Sequence, residues 1–376
     1  MTFSDIGTRP DLIAALAKQK ITEPTPIQAV AYPVLLGGKD AYLNAETGTG
    51  KTLAYLLPLF CRIDPKLAAT QLVVVAPTHE LALQIQRQCC DLAVNSGFPV
   101  QTLLLIGGTL IDRQIEKLKK KPQIVVGSPG RIRELIQLGK LKAHQVKCLV
   151  VDEADRLLAE ESLPGIQELL HFLPRDRQLV FVSATQQPES AAVIASLAPD
   201  LVLLQTAAMP MNPNIEHLGL VCEERDKPDV LRSLLHALQP ARSIVFVHQT
   251  ETAEIVAAKL AYHHISVAQL HGAFDKKDRQ RAMDDFRNGR ATVLIASDVA
   301  ARGLDIPGVT HIFNLDAPTL SKAYLHRVGR TARAGASGVA VTLFTEAETR
   351  LARRYEEDLG IVVQRVRLRE GHLLKV

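Results

Sequence analysis

Over most of this chain, short aliphatic and β-branched runs alternate with stretches whose apolar residues recur at helical spacing. Ala41–Asn44, Leu72–Ala76, Val100–Ile106, Ile124–Gly127, Cys148–Val151 and Gln178–Val182 are largely apolar, the pattern of strands buried on both faces. Between them, Glu80–Asp91 and Asp112–Leu118 each carry one apolar face, which predicts amphipathic helices. The apolar run Leu53–Phe60 falls far short of the ~18–20 residues needed to cross a bilayer and reads as a core helix. Regular alternation of this kind predicts an α/β fold with a parallel sheet covered by helices on both faces. The pattern breaks over Thr206–Asn214, where Pro210 and Pro213 interrupt a stretch with little periodicity. It then resumes. Ser243–Val247, Ser266–Leu270, Thr292–Ala296, His311–Asn314 and Val339–Phe344 are strand candidates, and Thr250–Tyr262 and Lys276–Phe286 are helix candidates. The predicted organisation is a first domain over 1–205, a linker over 206–214 and a second domain of similar architecture over 215–376.

Composition narrows this reading. A chain of 376 residues with 47% hydrophobic and 22% charged residues suits two globular domains and excludes a disordered or low-complexity protein. The net charge of +4 divides into 21 Lys+Arg against 20 Asp+Glu up to residue 208 and 23 against 20 after it. Neither half is a polycation, so any nucleic-acid contact must rest on local basic surface. Lys117–Lys121 is a basic run closing a helix, where cations complement the helix dipole. Ile361–Val376 is too short for an added RNA-binding module. Cys61, Cys89, Cys90, Cys148 and Cys222 are scattered without zinc-site spacing, and Met1–Pro10 lacks a signal-peptide pattern. Both features predict a cytoplasmic protein with no membrane partner.

One segment carries explicit chemistry. Ala45-Glu46-Thr47-Gly48-Thr49-Gly50-Lys51-Thr52 lies between a predicted strand and a predicted helix, the setting of a phosphate-binding loop. Gly48 and Gly50 let backbone N–H groups close around a phosphate, and the following helix adds its positive end. Lys51 can reach the β and γ phosphates, and the Thr52 hydroxyl can ligate Mg2+. Ala45 stands where the general pattern has Gly. A second element fits the first: the strand Cys148–Val151 runs into Asp152-Glu153-Ala154-Asp155. Carboxylates at the C-terminal end of a parallel strand sit where open α/β sheets bind ligands. Asp152 can hold Mg2+ through water, and Glu153 can act as general base on an attacking water. Together the two segments predict a nucleotide-hydrolysing site. A P-loop kinase or transport ATPase acting on a small substrate would share it.

Asp-Glu-Ala-Asp is also the name-giving motif of the DEAD-box ATP-dependent RNA helicases, and the chain resembles that family over nearly its whole length. In family order it shows Phe3, Glu23–Gln28, Ala45–Thr52, Pro77–Ala82, Gly107-Gly108 and Ser128–Arg131. Asp152–Asp155, Ser183-Ala184-Thr185, Ile244–Thr250, His271–Arg279, Ser297–Asp305 and His326–Arg333 follow. The resemblance implies two tandem RecA-like domains, ATP and Mg2+ as cofactors, and RNA as partner through sequence-independent backbone contacts. The implied activity is ATP-dependent RNA binding with local duplex unwinding or RNP remodelling. An ATP-gated RNA clamp with little strand separation is the alternative, and protein partners would supply targeting.

The same resemblance implies roles for single residues. Gln28 would pair with the adenine edge, with Phe3 supporting its segment, Ile21 against the base and Asp305 at the ribose. Arg330 and Arg333, three apart on one face of a helical turn, would be arginine fingers at the γ phosphate. His326, Asp155, Ser183 and Thr185 would couple the nucleotide state to domain closure. Pro77, Thr78, Gly107, Gly108, Pro129, Gly130, Arg131, Thr250, Arg279, Ser297, Asp298 and Arg302 would contact RNA. His79, Ser128, Ser297, Lys276 and Ala332 depart from the family's usual Arg, Thr, Thr, Gln and Gly.

Overall fold

Buried strands running in one direction dominate the computed structural model. It describes residues 1–45, 48–184, 188–205, 212–270, 276–301, 306, 308–332, 336–369 and 371–376, with backbone only at 276, 277 and 299. The chain divides into two compact units, Met1–Ala208 and Met209–Val376.

In the first unit, β1 (Ala41–Asn44), β2 (Leu72–Val75), β3 (Thr102–Leu105), β4 (Ile124–Gly127), β5 (Cys148–Asp152), β6 (Gln178–Ser183) and β7 (Val202–Gln205) form one parallel sheet. Their order is β3-β4-β2-β5-β6-β1-β7. Alternate residues feed two cores: Val74, Val126 and Val150 pack on one face, and Val73, Val75, Val125 and Leu149 on the other. That two-sided burial is why these strands read as continuous apolar runs. Where β4 ends, a Cβ on Gly127 would stand 1.9 Å from the Leu105 carbonyl oxygen, so only glycine permits the close pairing with β3.

The second unit repeats the plan. β8 (Ile215–Val221), β9 (Ser243–Phe246), β10 (Val267–Leu270), β11 (Val293–Ala296), β12 (His311–Asn314), β13 (Gly338–Phe344), β14 (Val363–Arg369) and β15 (His372–Lys375) follow the order β10-β11-β9-β12-β13-β8-β14-β15. All neighbours are parallel except β14 and β15, which form an antiparallel hairpin. The two tandem parallel α/β units agree with the fold class expected from the sequence.

β7, β8, β14 and β15 were not anticipated. They lie toward sheet margins, where side chains meet solvent on part of their length and the apolar run is broken. The expected linker 206–214 falls largely on residues 206–211, outside those described. Its last part belongs to the second unit: the Asn212 amide donates to the Ala332 carbonyl at 2.7 Å, and Gly338 N donates to Asn214 O at 2.9 Å. Among the described residues, no helix is long and apolar enough to cross a membrane.

Partly or wholly buried histidines give the second unit a pH dependence. His217 on β8 is buried, and its Nδ1 lies 2.8 Å from the hydroxyl of Tyr324, which stacks on Tyr355. Burial lowers the His217 pKa to about 4, below its ordinary 6.5. His311 on β12 is lowered by the same cause. A depressed histidine favours the fold fully above its unfolded pKa and withdraws that stability as pH falls toward its folded pKa. The second unit should therefore lose on the order of 3 kcal/mol between pH 6.5 and 4 through His217 alone. His217→Gln should flatten that part of the profile, measured by denaturant unfolding across the window. An unchanged slope would remove His217 as the cause.

Candidate active site and nucleic-acid interface

Parallel pairing sends the loop after every strand of the first sheet to one edge. The strand order then sorts the candidate residues along it. β5, β6 and β1 are consecutive, and their ends carry Asp152–Asp155, Ser183 and the phosphate loop. β3, β4 and β2 are consecutive as well, and their ends carry Gly107-Gly108, Ser128–Arg131 and Pro77-Thr78.

On the nucleotide half, β1 delivers the chain into Ala45, and Gly48 and Gly50 adopt left-handed φ values of 86° and 83°. Gly50 is the N-cap of the helix Lys51–Cys61. A Cβ there would lie 2.4 Å from Gln28 Nε2, so the close approach requires glycine. Gln28 is buried: its Nε2 donates to Gly50 O at 3.1 Å, and its Oε1 accepts from Thr25 N at 3.0 Å. The amide expected to pair with adenine thus closes a capping box and fastens that segment to the phosphate loop. Phe3 is fully buried in the core beneath this segment, and Ile21 packs half-buried against the same core. Lys51 Nζ donates to Ala45 O, folding the lysine back over the loop. Thr49 is buried and Thr52 half-buried. Glu46 and Thr47 lie outside the described residues.

Asp152 ends β5 as a buried carboxylate. Its Oδ2 accepts from the Tyr55 hydroxyl at 3.0 Å, and its Oδ1 accepts from Glu153 N at 2.9 Å. Burial raises its pKa above the ordinary carboxylate value, while the Lys51 charge and the two donors pull the other way. Glu153 turns the chain with φ 51° and ψ 52°, a left-handed geometry that costs an ordinary L-residue roughly 1–2 kcal/mol. Its carboxylate lies 3.5 Å from Arg156 and stays partly open to solvent. Asp155 acts electrostatically on Tyr42, which hydrogen-bonds Ser183. Thr185 lies outside the described residues.

Among the described residues, no cluster of three His, Cys, Asp or Glu side chains could hold a metal. The donors at this corner are instead one carboxylate and one hydroxyl, Asp152 and Thr52. Tyr55 hydrogen-bonds both side chains, which ties them to one corner. Hard oxygen donors in that small number fit Mg2+, which takes few protein ligands beside phosphate and water.

Tyr55 is the residue that sequence reasoning missed. It lies one turn beyond Lys51 in a largely apolar helix, it is fully buried, and its phenol is held above its ordinary range by burial and by Asp152. A buried tyrosine hydroxyl needs a partner, and that was the available signal.

On the other half of the edge, Thr78 caps the helix His79–Ser96 by accepting from Leu81 N at 3.2 Å. Pro129 opens the helix Pro129–Gln137, and nothing lies within 4 Å of a Cβ placed on Gly130. Arg131 pairs with Glu134 at 3.1 Å and donates to Thr109 O at 3.4 Å, joining this loop to the one after β3. Gly108 is left-handed, with φ 68°, and His79 stands near Gly107.

In the second unit, Thr250 starts the helix after β9, and Ser297 follows the neighbouring β11. Here the candidate residues make bonds within the unit. Asp298, expected at RNA, pairs through both oxygens with Arg327 at 2.7 Å. That guanidinium is buried and also donates to Asn314 and to the Asp316 carbonyl, so it needs a counter-charge inside the fold. Arg279 donates to Ala300 O at 2.8 Å and so caps the short helix that Asp298 opens. The geometry of Arg330 also differs. The helix carrying His326 ends at Val328, and Ala332 is left-handed at φ 53°, so the segment is a turn and not a continuing helix. Arg330 is buried in that turn. Arg302, Asp305 and Arg333 lie outside the described residues.

Tyr55→Phe keeps the packing but removes one donor from a buried carboxylate. It should destabilise the first unit by about 1.5–3 kcal/mol near neutral pH, read from chemical denaturation. A wild-type midpoint would show that the phenol does not support Asp152.

The family model described as DEAD/DEAH box helicase matches residues 25–193, and that described as helicase conserved C-terminal domain matches residues 226–335. The chain is 38% identical to the DEAD-box ATP-dependent RNA helicase CshC of Bacillus cereus, over 98% of this chain and 94% of that protein. It is 37% identical to the DEAD-box ATP-dependent RNA helicase CshA of Bacillus subtilis, over 95% of this chain and 72% of that one. S. cerevisiae Dbp5, solved bound to RNA and ADP BeF3, superposes with a TM-score of 0.85 at 31% identity, covering 97% of this chain and 95% of its own. With the phosphate loop, the strand-end Asp-Glu-Ala-Asp and both units accounted for, the chain belongs to the DEAD-box ATP-dependent RNA helicase family.

Proposed function

We propose that this protein is an ATP-dependent RNA helicase that couples ATP binding and hydrolysis to RNA binding and local duplex unwinding or RNP remodelling. The observation that carries this reading is the division of one sheet edge. A phosphate loop and two carboxylates occupy the ends of β1 and β5, while glycine and hydroxyl loops suited to a sugar-phosphate backbone occupy the ends of β3, β4 and β2.

In this reading, Gly48, Gly50 and the N-terminus of the helix Lys51–Cys61 cradle the phosphates, and Lys51 exchanges the Ala45 carbonyl for phosphate oxygens. Thr52 and Asp152 hold Mg2+, which, when bound, neutralises charge developing on the phosphate oxygens. The strained backbone of Glu153 projects its carboxylate at the strand end. There it accepts the proton of the water that attacks the γ phosphorus, as the β–γ bridging oxygen leaves with ADP. Arg330 and Arg333 keep the arginine-finger role that the family resemblance gives them, offsetting charge on the transferred phosphoryl group. Gln28 makes adenine contacts by giving up its bonds to Thr25 and Gly50, so nucleotide occupancy acts directly on the phosphate loop. Asp298, next to Ser297 in the chain, contacts RNA in this reading while also holding Arg327. Thr78, Gly107, Gly108, Pro129, Gly130, Arg131, Thr250 and Ser297 line the RNA path. A cytoplasmic site of action fits five free cysteines.

Glu153→Gln should retain ATP binding and slow hydrolysis by roughly 10²-fold or more. Steady-state phosphate release with and without RNA measures both the assignment and the coupling. Wild-type turnover in the variant would exclude Glu153 as base, and a rate indifferent to RNA would exclude a helicase cycle. Coupling must also be reciprocal, so a non-hydrolysable ATP analogue should tighten RNA in fluorescence anisotropy. An unchanged RNA affinity would separate the two activities.

A further inference from the structure

The second unit carries 23 Lys+Arg against 20 Asp+Glu after residue 208, and residues 361–376 alone hold 4 against 1. The remainder of that half is balanced at 19 against 19. The whole excess therefore sits on the β14–β15 hairpin and the residues flanking it.

The hairpin arranges that charge. Val363 packs with Leu351 and Tyr355 in one core, while Val366 packs with Leu231 in the other. Side chains alternate along a strand, so Arg365, Arg367 and Arg369 share the Val363 face. All three are exposed. The antiparallel register sets His372 opposite Arg369 and Leu374 opposite Arg367, both exposed on that same face. Alternate residues repeat at ~6.6 Å, so these guanidinium groups form a row and not a pocket. A row of fixed cations matches a polymer of regularly spaced anions better than a single small anion.

Its place in the sheet names the polymer. β14 runs parallel to β8 and, through β13 and β12, to β9 and β11. The C-terminal end of β14 therefore points to the same sheet edge as Thr250 and Ser297. It stands four strands from β9 in the sheet order, roughly 19 Å at ~4.8 Å per strand. We propose that Arg365, Arg367 and Arg369, with His372, form an outlying track for the phosphate backbone of RNA that extends past the Thr250–Ser297 site. This inference rests on the RNA-binding reading given above, and charge complementarity with that same substrate selects RNA over an acidic protein surface.

The test is fluorescence anisotropy of the full chain with a non-hydrolysable ATP analogue, using single-stranded RNA lengthened in steps across a salt series. Three neutralised phosphates at about 0.7 each should steepen the log–log salt slope by about 2 once the RNA reaches the track. Over a four-fold change in salt, that is roughly a 16-fold difference in affinity. Arg365→Gln, Arg367→Gln and Arg369→Gln together should abolish the step. The matching triple lysine variant, which keeps the charge, should restore it and exclude misfolding as the cause. A step that persists in the glutamine variant overturns the proposal. So does a wild-type slope indifferent to length while short RNA still binds, a result that would leave the row to an acidic protein. If RNA of no length binds with the analogue, the underlying RNA reading fails, and the track fails with it.

Discussion

The constraint on which everything else depends is that the strands in each sheet core point the same way. A parallel strand cannot return by a tight turn, so each is followed by a crossover, and each crossover begins at the same edge. Residues far apart in sequence, such as Lys51 and Asp152, are thereby delivered to one place. Burial on both faces makes that edge rigid. Val73, Val74 and Val150 are wholly inaccessible, so the loops that follow spring from fixed points.

Rigidity has an electrostatic consequence at Asp152. A carboxylate at a fully buried strand end resists ionisation, and its charged form is supported by Lys51, the Tyr55 phenol and the Glu153 amide. The second unit meets the same problem with the opposite sign. The buried Arg327 guanidinium is answered by Asp298, Asn314 and a carbonyl, with the Phe246 ring 5.1 Å away. Each unit thus holds a buried charge beside its candidate ligand residues, and in each the surrounding donors or acceptors orient it. Such networks are costly when incomplete, and a complete one confines its members to one geometry.

Two candidate residues already have partners within the fold, for one physical reason. The resemblance assigned Gln28 to adenine and Asp298 to RNA. In the fold, both functional groups are answered internally, by Thr25 and Gly50 in one case and Arg327 in the other. Hydrogen-bonding capacity is written in a residue type, but its partner is not. Tyr55 is the converse. Nothing local marks it as more than a core aromatic, and only the 97-residue closure onto Asp152 reveals its hydroxyl.

The sequence by itself determined the alternation of strand and helix, the phosphate loop in its strand–loop–helix setting and the strand-end Asp-Glu-Ala-Asp. These are local properties, set by hydrophobic period and by the backbone freedom of glycine. Tertiary structure decided the lateral order of the strands, and with it the separation of nucleotide candidates from backbone-binding candidates along one edge. It also decided which polar groups turn inward, where the helix before Arg330 stops, and that the arginines of β14 share a face. Strands toward the margin such as β8 and β14 escaped the sequence reading because exposed residues interrupt their apolar runs, and which faces stay uncovered there is a non-local fact. Pairing energy comes from contacts between distant segments, so no window of the chain contains the information that orders them.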